Sequence, residues 1–526
     1  MSWNAIRGAR QRLSREMGTI IKDWGGRLPV AIVYPNTYYI GMSNLGIQAI
    51  YSLLNSQSRV VCERVFWEHS DSALSIESQH PLADFAVLAF SVSYELDYFN
   101  IAPILKDSGI PIYAADREEN QPLVIAGGPC ISANPMPLVP FFDCLCIGEA
   151  EPILPAMLPV IKEGIRGKRD ELLKALAKLP GVYVPKFPPS APVVRQWTAN
   201  LDDFPVHSVV LTPDTEFGEL YLIEIERGCK WGCRFCLVST CFRPVRFRSL
   251  ESLVAQAKTG LQYRNRLGLV GPSVADHPQF DVILSRLKEM SADISVSSLR
   301  IKPLPGLVLG ELAKGRTRTV VFAPEAGSER LRQVIRKGIT EDDIIAAVGR
   351  AADEGIKQLK LYFMLGLPTE TDEDIDEIVR LAFKCKSILE RRVKGSRIIL
   401  SLSPFVPKAG TPFQWLPMEQ LSVLNNRLRA LKRDLIPAGI QVKEESTAWS
   451  EVQAVLARGD ARLAGVLAGM EKLSLSTWRQ ALAGCHLDAG EYAHRMWDAG
   501  ERLPWAILDP GISLTSLKRE LDLAVG

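Results

Sequence analysis

Glu226-Arg-Gly-Cys-Lys-Trp-Gly-Cys-Arg-Phe-Cys236 holds three cysteines, Cys229, Cys233 and Cys236, at the spacing C-x3-C-x2-C. Thiols this close together in an intracellular chain hold a metal centre more readily than they form disulfides. Two centres fit the count. Three thiolates on a four-iron cubane leave one iron open to a non-protein ligand. Alternatively, Cys241 completes four thiolates for a structural zinc ion. Zinc sites usually pair two C-x2-C knuckles across a longer spacer, which this stretch lacks, so Cys241 reads better as a packed thiol. The run Leu220-Tyr-Leu-Ile-Glu-Ile225 enters the cysteine loop as a barrel strand enters an active-site loop.

The chain around this stretch has 526 residues, too many for one ordinary core, so two or three domains are expected. Its 47% hydrophobic and 23% charged residues describe a soluble globular protein. A net charge of +2 gives no sign of a body built to grip nucleic acid. No stretch reads as a secretory signal or a membrane span, and with ten cysteines, three of them clustered, a cytoplasmic location is expected.

Upstream, strand-like and helical patterns alternate. Leu28–Tyr34, Val60–Phe66, Phe85–Ser91, Leu123–Gly128 and Phe142–Gly148 read as strands, with helices through Gly46–Leu54, Asn100–Lys106 and Glu151–Glu163. This alternation predicts a doubly wound parallel sheet with ligands beyond its C-terminal strand ends. The expected organisation is an N-terminal helical segment (1–27), an α/β domain (28–170), a proline-rich linker (171–217), a second α/β core (218–436) and a mostly helical end (437–526). Trp449, Trp478, Trp497 and Trp505 are its expected packing anchors.

The cysteine spacing, with Phe235 just before the last cysteine, resembles the signature of the radical S-adenosylmethionine (SAM) enzymes. That resemblance implies a partial (β/α)6 barrel of TIM type and a [4Fe–4S] cluster whose fourth iron is chelated by SAM. It also implies reductive cleavage of SAM to a 5'-deoxyadenosyl radical. Further segments match the core in order. Gly271-Pro272-Ser273 follows a strand where the family places a turn against the SAM amino group; the acidic residue common there is missing from this turn, so backbone carbonyls or Ser273 are the expected acceptors. Ser298 and Arg300 end the next strand, with Arg300 facing either the SAM carboxylate or an ordinary ion pair. Glu325, in Thr319-Val-Val-Phe-Ala-Pro-Glu325, stands at a strand end suited to SAM hydroxyls or the amino group. Gly366 opens Gly-Leu-Pro-Thr-Glu370, which resembles the turn near the adenine. Arg243, Arg246 and Arg248 read either as counter-charges to the cluster or an anionic substrate, or as a solvated basic face.

The N-terminal strand ends carry a second resemblance. Gly127-Gly-Pro-Cys130, Asn134-Pro135 and Gly148-Glu-Ala-Glu151 are similar in order to the Rossmann-like cobalamin (B12)-binding domain that precedes many radical SAM cores. The resemblance implies that Ser91, Ser93, Gly127, Gly128, Gly148 and Glu149 line the corrin. The motif Asp-x-His-x-x-Gly, whose histidine ligates cobalt, is absent: none of the six histidines meets it. With cobalamin bound, the implied reaction is methyl transfer to carbon or phosphorus. Without it, a radical rearrangement, thiolation or RNA modification is implied. A non-catalytic iron–sulfur or zinc module is the remaining alternative. A small electron donor such as flavodoxin or ferredoxin is the implied partner; the substrate is not in the sequence.

Overall fold

The structure, a computed structural model, describes residues 3–68, 73–304, 306–314 and 319–526. By its internal contacts the chain forms two units. One comprises Met1–Leu222, Leu456–Asp488 and Arg502–Gly511; the other comprises Ile223–Val455, Ala489–Glu501 and Ile512–Gly526.

In the first unit, β1 (Leu28–Tyr34), β2 (Val60–Phe66), β3 (Val87–Ser91), β4 (Leu123–Gly127) and β5 (Cys144–Cys146) pair in parallel. β6 (Val182–Tyr183) adds antiparallel to β5, giving the order β2-β1-β3-β4-β5-β6. The strands are nearly continuous apolar runs because helices cover parallel sheets. α1 (Trp3–Leu13) lies before the sheet, while α2 (Leu45–Ser56), α3 (Tyr98–Asp107) and α4 (Ala150–Gly164) connect or follow its strands. The expected helices are all present, each slightly longer than its apolar pattern. The expected fifth strand is shorter, because Phe142 and Asp143 precede the ladder and Gly148 leaves it with φ +118°.

β2 carries two charged residues into the interior, Glu63 and Arg64. Arg64 is paired on both sides, with Glu16 at 2.6 Å and Glu77 at 2.7 Å, all three side chains being almost wholly buried. Burial without both carboxylates would leave an uncompensated cation. The arrangement pins the segment after α1 to the edge of the sheet.

The second unit repeats strand and helix six times. β7 (Tyr221–Glu224), α5 (Leu250–Gly260), β8 (Arg266–Val270), α6 (Phe280–Glu289), β9 (Asp293–Val296) and α7 (Gly306–Lys314) form its first half. β10 (Thr319–Glu325), α8 (Glu341–Asp353), β11 (Gln358–Leu365), α9 (Asp372–Arg392), β12 (Arg397–Pro404) and α10 (Leu421–Leu435) form its second, before β13 (Gln441–Glu444). The strands lie in two sheets, β9-β8-β7 and β10-β11-β12-β13, and among the described residues no ladder joins them into a closed barrel. The mixed α/β class expected from the sequence is present in both units.

The stretch 437–526 is mostly helical, as expected, but it does not form a domain of its own. Its helices are short and are divided between the two units, because a short helix is stable only against a larger apolar surface. Trp478, Trp497 and Trp505 are buried anchors and Trp449 is half-buried. The expected linker is also more ordered than its prolines imply: it contains the helix Arg169–Leu176, β6, and Val193–Val194 paired with Leu508–Asp509.

Candidate metal centre and cofactor site

Two residues at each end of the cysteine loop pair antiparallel, Arg227 with Arg246 and Glu226 with Phe247. This pair closes the base of the loop. Gly228 has φ +88°, and a Cβ there would lie 2.5 Å from the Phe242 carbonyl oxygen, so the turn demands glycine. Cys233 is buried, and Cys229 and Cys236 are half-buried. Phe235 between them is half-buried too.

Burial raises the Cys229 thiol and pushes Cys236 up to about 11, with the charge of nearby Cys233 adding to both. The Trp231 N–H at Cys229, and the Val238 and Ser239 N–H groups at Cys236, act the other way by favouring thiolate. Among the described residues, no three Cys, His, Asp or Glu side chains converge closely enough for a single metal ion. Tetrahedral zinc needs its sulfurs within about 4 Å of one another, given a Zn–S bond near 2.3 Å. A four-iron cluster takes each thiolate on a separate iron and accepts a wider set. The donor set therefore fits the cluster: three adjacent thiols supplied with backbone donors. Cys241 is buried in the short helix Val238–Cys241.

The loop is fastened from outside by Arg234, which lies between Cys233 and Cys236. Its guanidinium donates to the Val334 and Gln333 carbonyls at 2.7 and 3.2 Å, and its backbone N–H to that of Ile335 at 3.1 Å. It also bonds Glu520, 286 residues away on α11 (Leu514–Val525), at 3.0 Å. Glu520 bonds Arg336 as well, at 2.9 Å.

Beside the loop lies a polar cluster that sequence reasoning missed. The turn Gly271-Pro272-Ser273 carries no acid, but the fold brings two carboxylates to it. Glu226 accepts the Ser273 N–H at 2.5 Å, and a Cβ on Gly271 would lie 2.6 Å from Glu226 Cγ. Asp276 accepts the Ser273 hydroxyl at 2.6 Å and the Trp231 indole N–H, with Lys230 at 3.3 Å. The Ser273 hydroxyl donates to Asp276, and its oxygen keeps lone pairs that can still accept beside the two carboxylates. The Gly271 carbonyl is engaged as well, accepting the Ser298 hydroxyl at 2.8 Å. Burial, reinforced by Asp276, pushes Glu226 up to about 7. The signal was present in Leu222-Ile-Glu224-Ile-Glu226, whose alternation places both carboxylates on one face. What it faces depends on β8.

The remaining expected SAM contacts form a chain across this region. Arg300 stacks 3.9 Å from the Trp231 ring centroid and donates to the Lys337 carbonyl at 3.0 Å. Lys337 pairs with Glu325 at 3.0 Å. Glu325 sits at a bulge of β10 with φ +69°, an uncommon conformation for a non-glycine residue that marks functional strand ends. Gly366 has φ +77°, and its N–H donates to Glu370 at 2.6 Å, closing the Gly-Leu-Pro-Thr-Glu turn from within. Pro272 is exposed. Arg246 and Arg248 do not form a basic face. Arg248 is wholly buried against Glu224 at 2.5 Å, and Arg246 folds back onto the Pro244 and Phe242 carbonyls. Arg243 is exposed.

At the N-terminal strand ends, Ser91 ends β3 opposite Gly127, and Ser93 accepts the Asn44 side-chain amide at 3.2 Å. Gly128 has φ +115°, and a Cβ there would meet the Val92 carbonyl oxygen at 2.5 Å. At Gly148 a Cβ would meet the Gln196 oxygen at 2.1 Å. Glu149 accepts the Thr198 N–H at 3.0 Å. Gly127 alone of the three glycines has room, its nearest neighbour being Cys146 Cβ at 3.5 Å.

The fold and the thiolate site define an enzyme class, and comparison with known proteins places the chain in it. The profile for the radical SAM superfamily matches residues 223–382, and that for the N-terminal region of radical SAM proteins matches residues 46–185. The chain belongs to the radical SAM superfamily, whose enzymes use a [4Fe–4S] cluster and SAM. It is 32% identical over 445 residues to the "Uncharacterized protein MJ0966" of Methanocaldococcus jannaschii, covering 83% of this chain and 90% of that one. Similarity to the "Uncharacterized methyltransferase PH0819" of Pyrococcus horikoshii is 25% over 330 residues, 60% of this chain and 67% of that one. The solved structure of the cobalamin-dependent SAM radical enzyme OxsB with aqua-cobalamin shares the fold at a TM-score of 0.51. It is 13% identical, over 94% of this chain and 80% of that one. No helix among the described residues is long and apolar enough to cross a membrane.

Proposed function

We propose that this protein is a radical SAM enzyme that transfers a methyl group to its substrate, with Cys229, Cys233 and Cys236 holding the cluster. The observation that carries the radical SAM reading is the cysteine loop itself, closed at its base and supplied with backbone donors, beside a set of polar groups suited to an amino acid; methyl transfer is supported by the similarity to the methyltransferase PH0819. When bound, the cluster supplies the electron that cleaves SAM to its radical. The chain's own groups orient the sulfonium compound. Asp276 and Glu226 are acceptors for an ammonium group, Arg300 is a donor for a carboxylate, and Glu325 is an acceptor for ribose hydroxyls. Gly366 leaves main chain free of a side chain beside the adenine. A small reductant such as flavodoxin or ferredoxin delivers the electron.

Cobalamin in the N-terminal sheet is the finer part of the proposal. It is supported by the strand order β2-β1-β3-β4-β5, an order in which doubly wound sheets bind ligands at the β1/β3 strand ends, and by the shared fold of the cobalamin-dependent OxsB. A specific observation favours a cobalamin-free enzyme instead: Gly128, Gly148 and Glu149 are already engaged by the chain's own backbone.

One anaerobic preparation tests both parts. Reductive formation of 5'-deoxyadenosine from SAM supports the enzyme reading, and its absence with an intact cluster sinks it. A corrin spectrum retained after incubation with hydroxocobalamin and desalting supports the carrier. Failure to retain it selects the cobalamin-free enzyme. Any bound cobalamin should show no nitrogen superhyperfine splitting from a protein histidine in the Co(II) electron paramagnetic resonance spectrum.

A further inference from the structure

The sheet β10-β11-β12-β13 is unlike an ordinary parallel sheet on one of its faces. On β11, Leu359, Leu361, Phe363 and Leu365 are at most 1% exposed and face the helices. Val320 and Phe322 on β10, and Ile398, Leu400 and Leu402 on β12, are buried in the same way. The alternate residues form the inward face of the partial barrel, where Tyr362 is 37% and Val321 40% exposed. Lys360, Met364, Ser401 and Ser403 are half-buried, and Gln441 and Lys443 are exposed. Parallel strands normally bury both faces, and barrel interiors are normally filled by branched apolar side chains. This face mixes polar and apolar groups, with Ile399 buried beside Lys360, and it is open at Val321, Tyr362, Gln441 and Lys443.

Its polar groups are in register. Tyr362 lies opposite Ser401, and Ser401 opposite Lys443. Lys360 stands one inward position before Tyr362 on the same strand. Strands about 4.8 Å apart put Tyr362 and Lys443 roughly 10 Å apart across Ser401, and Lys360, two residues further back, roughly 12 Å from Lys443, a gap two long side chains can span. Lys360 donates to the Tyr362 hydroxyl at 2.7 Å and lies 4.6 Å from its ring centroid. Among the described residues neither Lys360 nor Lys443 is within ion-pair distance of a carboxylate. Nearby lysines are: Lys337 pairs with Glu325 at 3.0 Å and Lys432 with Glu444 at 2.6 Å. Two lysines, one half-buried and one exposed, share this inward face with two hydroxyls and together offer charged and neutral donors to an anion.

We propose that this face is the substrate subsite for an anionic group, a phosphate or a carboxylate, held between Lys360 and Lys443 with the hydroxyls of Tyr362 and Ser401 as neutral donors. The charge-assisted bonds fix one end of the substrate, and the rest extends along the strands toward Met364, Ser403 and the Glu325 end. The assignment of the bound anion as substrate rests on the enzyme reading above; the binding itself does not.

The test uses the anaerobically purified full chain, titrated by calorimetry at low salt with inorganic pyrophosphate and, separately, with citrate. The wild type should bind at least one, and the tighter arm tells phosphate from carboxylate chemistry. The double substitution Lys360→Ala with Lys443→Ala should weaken binding at least 10-fold, and Tyr362→Phe by a few-fold. Lys394→Ala, an exposed lysine away from this face, should bind as the wild type does. Melting temperature and cluster absorbance establish that each variant is folded; if the double variant fails to fold, Lys443→Ala alone decides the matter. Equal binding by wild type and variants, or no binding of either anion, overturns the proposal. Loss of SAM cleavage in the wild type would sink the enzyme reading and leave the anion result standing by itself.

Discussion

The two parallel sheets of this molecule solve the same packing problem and end differently. In the N-terminal sheet the strand-end groups are satisfied by the chain: Gly128 against Val92, Gly148 against Gln196, Glu149 with Thr198, and Asn36 with Asp97 at 2.7 Å. In the core sheet, β10 ends in Glu325 at φ +69°, paired with Lys337, and the inward face of β10–β13 is partly open and carries polar groups. Polar groups left open at the strand ends of a parallel sheet are where ligands bind. The difference is that the chain itself fills most of the first sheet's strand ends, while the second sheet keeps polar groups on a partly open face.

The comparison breaks most visibly at the cluster. Replacing Cys229, Cys233 or Cys236 with alanine should abolish the [4Fe–4S] absorbance and iron content after reconstitution, whereas Cys241→Ala should keep both. Equal loss in Cys241→Ala would mean a four-thiolate centre.

Next in size is the strand-end glycine of the closed sheet. Gly128→Val puts a branched side chain at φ +115° and 2.5 Å from a carbonyl oxygen, and should cost about 3 kcal/mol or more of unfolding free energy whether or not cobalamin is present. Gly127→Ala, whose Cβ would meet Cys146 Cβ at an ordinary contact distance of 3.5 Å, should leave stability within about 1 kcal/mol. It is therefore the substitution that reports on corrin contact. A folded Gly128→Val protein with wild-type denaturant midpoint would show that these strand ends are not closed.

The third prediction concerns pH. Burial raises Asp97 to about 6, with Glu95 adding to it and the Asn36 hydrogen bond opposing. A carboxyl whose folded pKa exceeds its unfolded value contributes stability that is complete below about pH 4 and lost as pH rises through 6. The shift of roughly two units corresponds to about 3 kcal/mol at most. Asp97→Asn cannot ionise, so its denaturation midpoint should change less between pH 4 and 7 than the wild type's. Parallel pH profiles would show that Asp97 is not desolvated.

The smallest expected effect sharpens the open side. Glu325→Gln keeps size and removes the anionic acceptor, and should weaken SAM binding about 10-fold, or about 1.4 kcal/mol, with cluster content unchanged. Unaltered SAM affinity would reduce Glu325 to the ion-pair partner of Lys337.

Sequence alone determined what is local in the chain. The proposed cluster site was legible because its three cysteines fall within one loop of eight residues, Cys229–Cys236. The strands were legible because apolar periodicity records which face a residue buries. Local spacing also located Glu325 and Gly366 at strand ends, since a strand and its following turn are contiguous. Tertiary structure decided everything that required two distant segments to meet. Glu226 and Asp276 supply the acids that the Gly271 turn lacks, because β7 and β8 are neighbours in one sheet. Arg246 and Arg248 turn inward because the antiparallel pair at the loop base carries them onto Glu224 and nearby carbonyls. Glu520 grips the cluster loop through Arg234 from the far end of the chain. Gln196 and Thr198, from a stretch whose prolines read as linker, close the ends of the first sheet. A residue's type records the environment it prefers; its partner across a crossover is set by strand order and register, which no local pattern encodes.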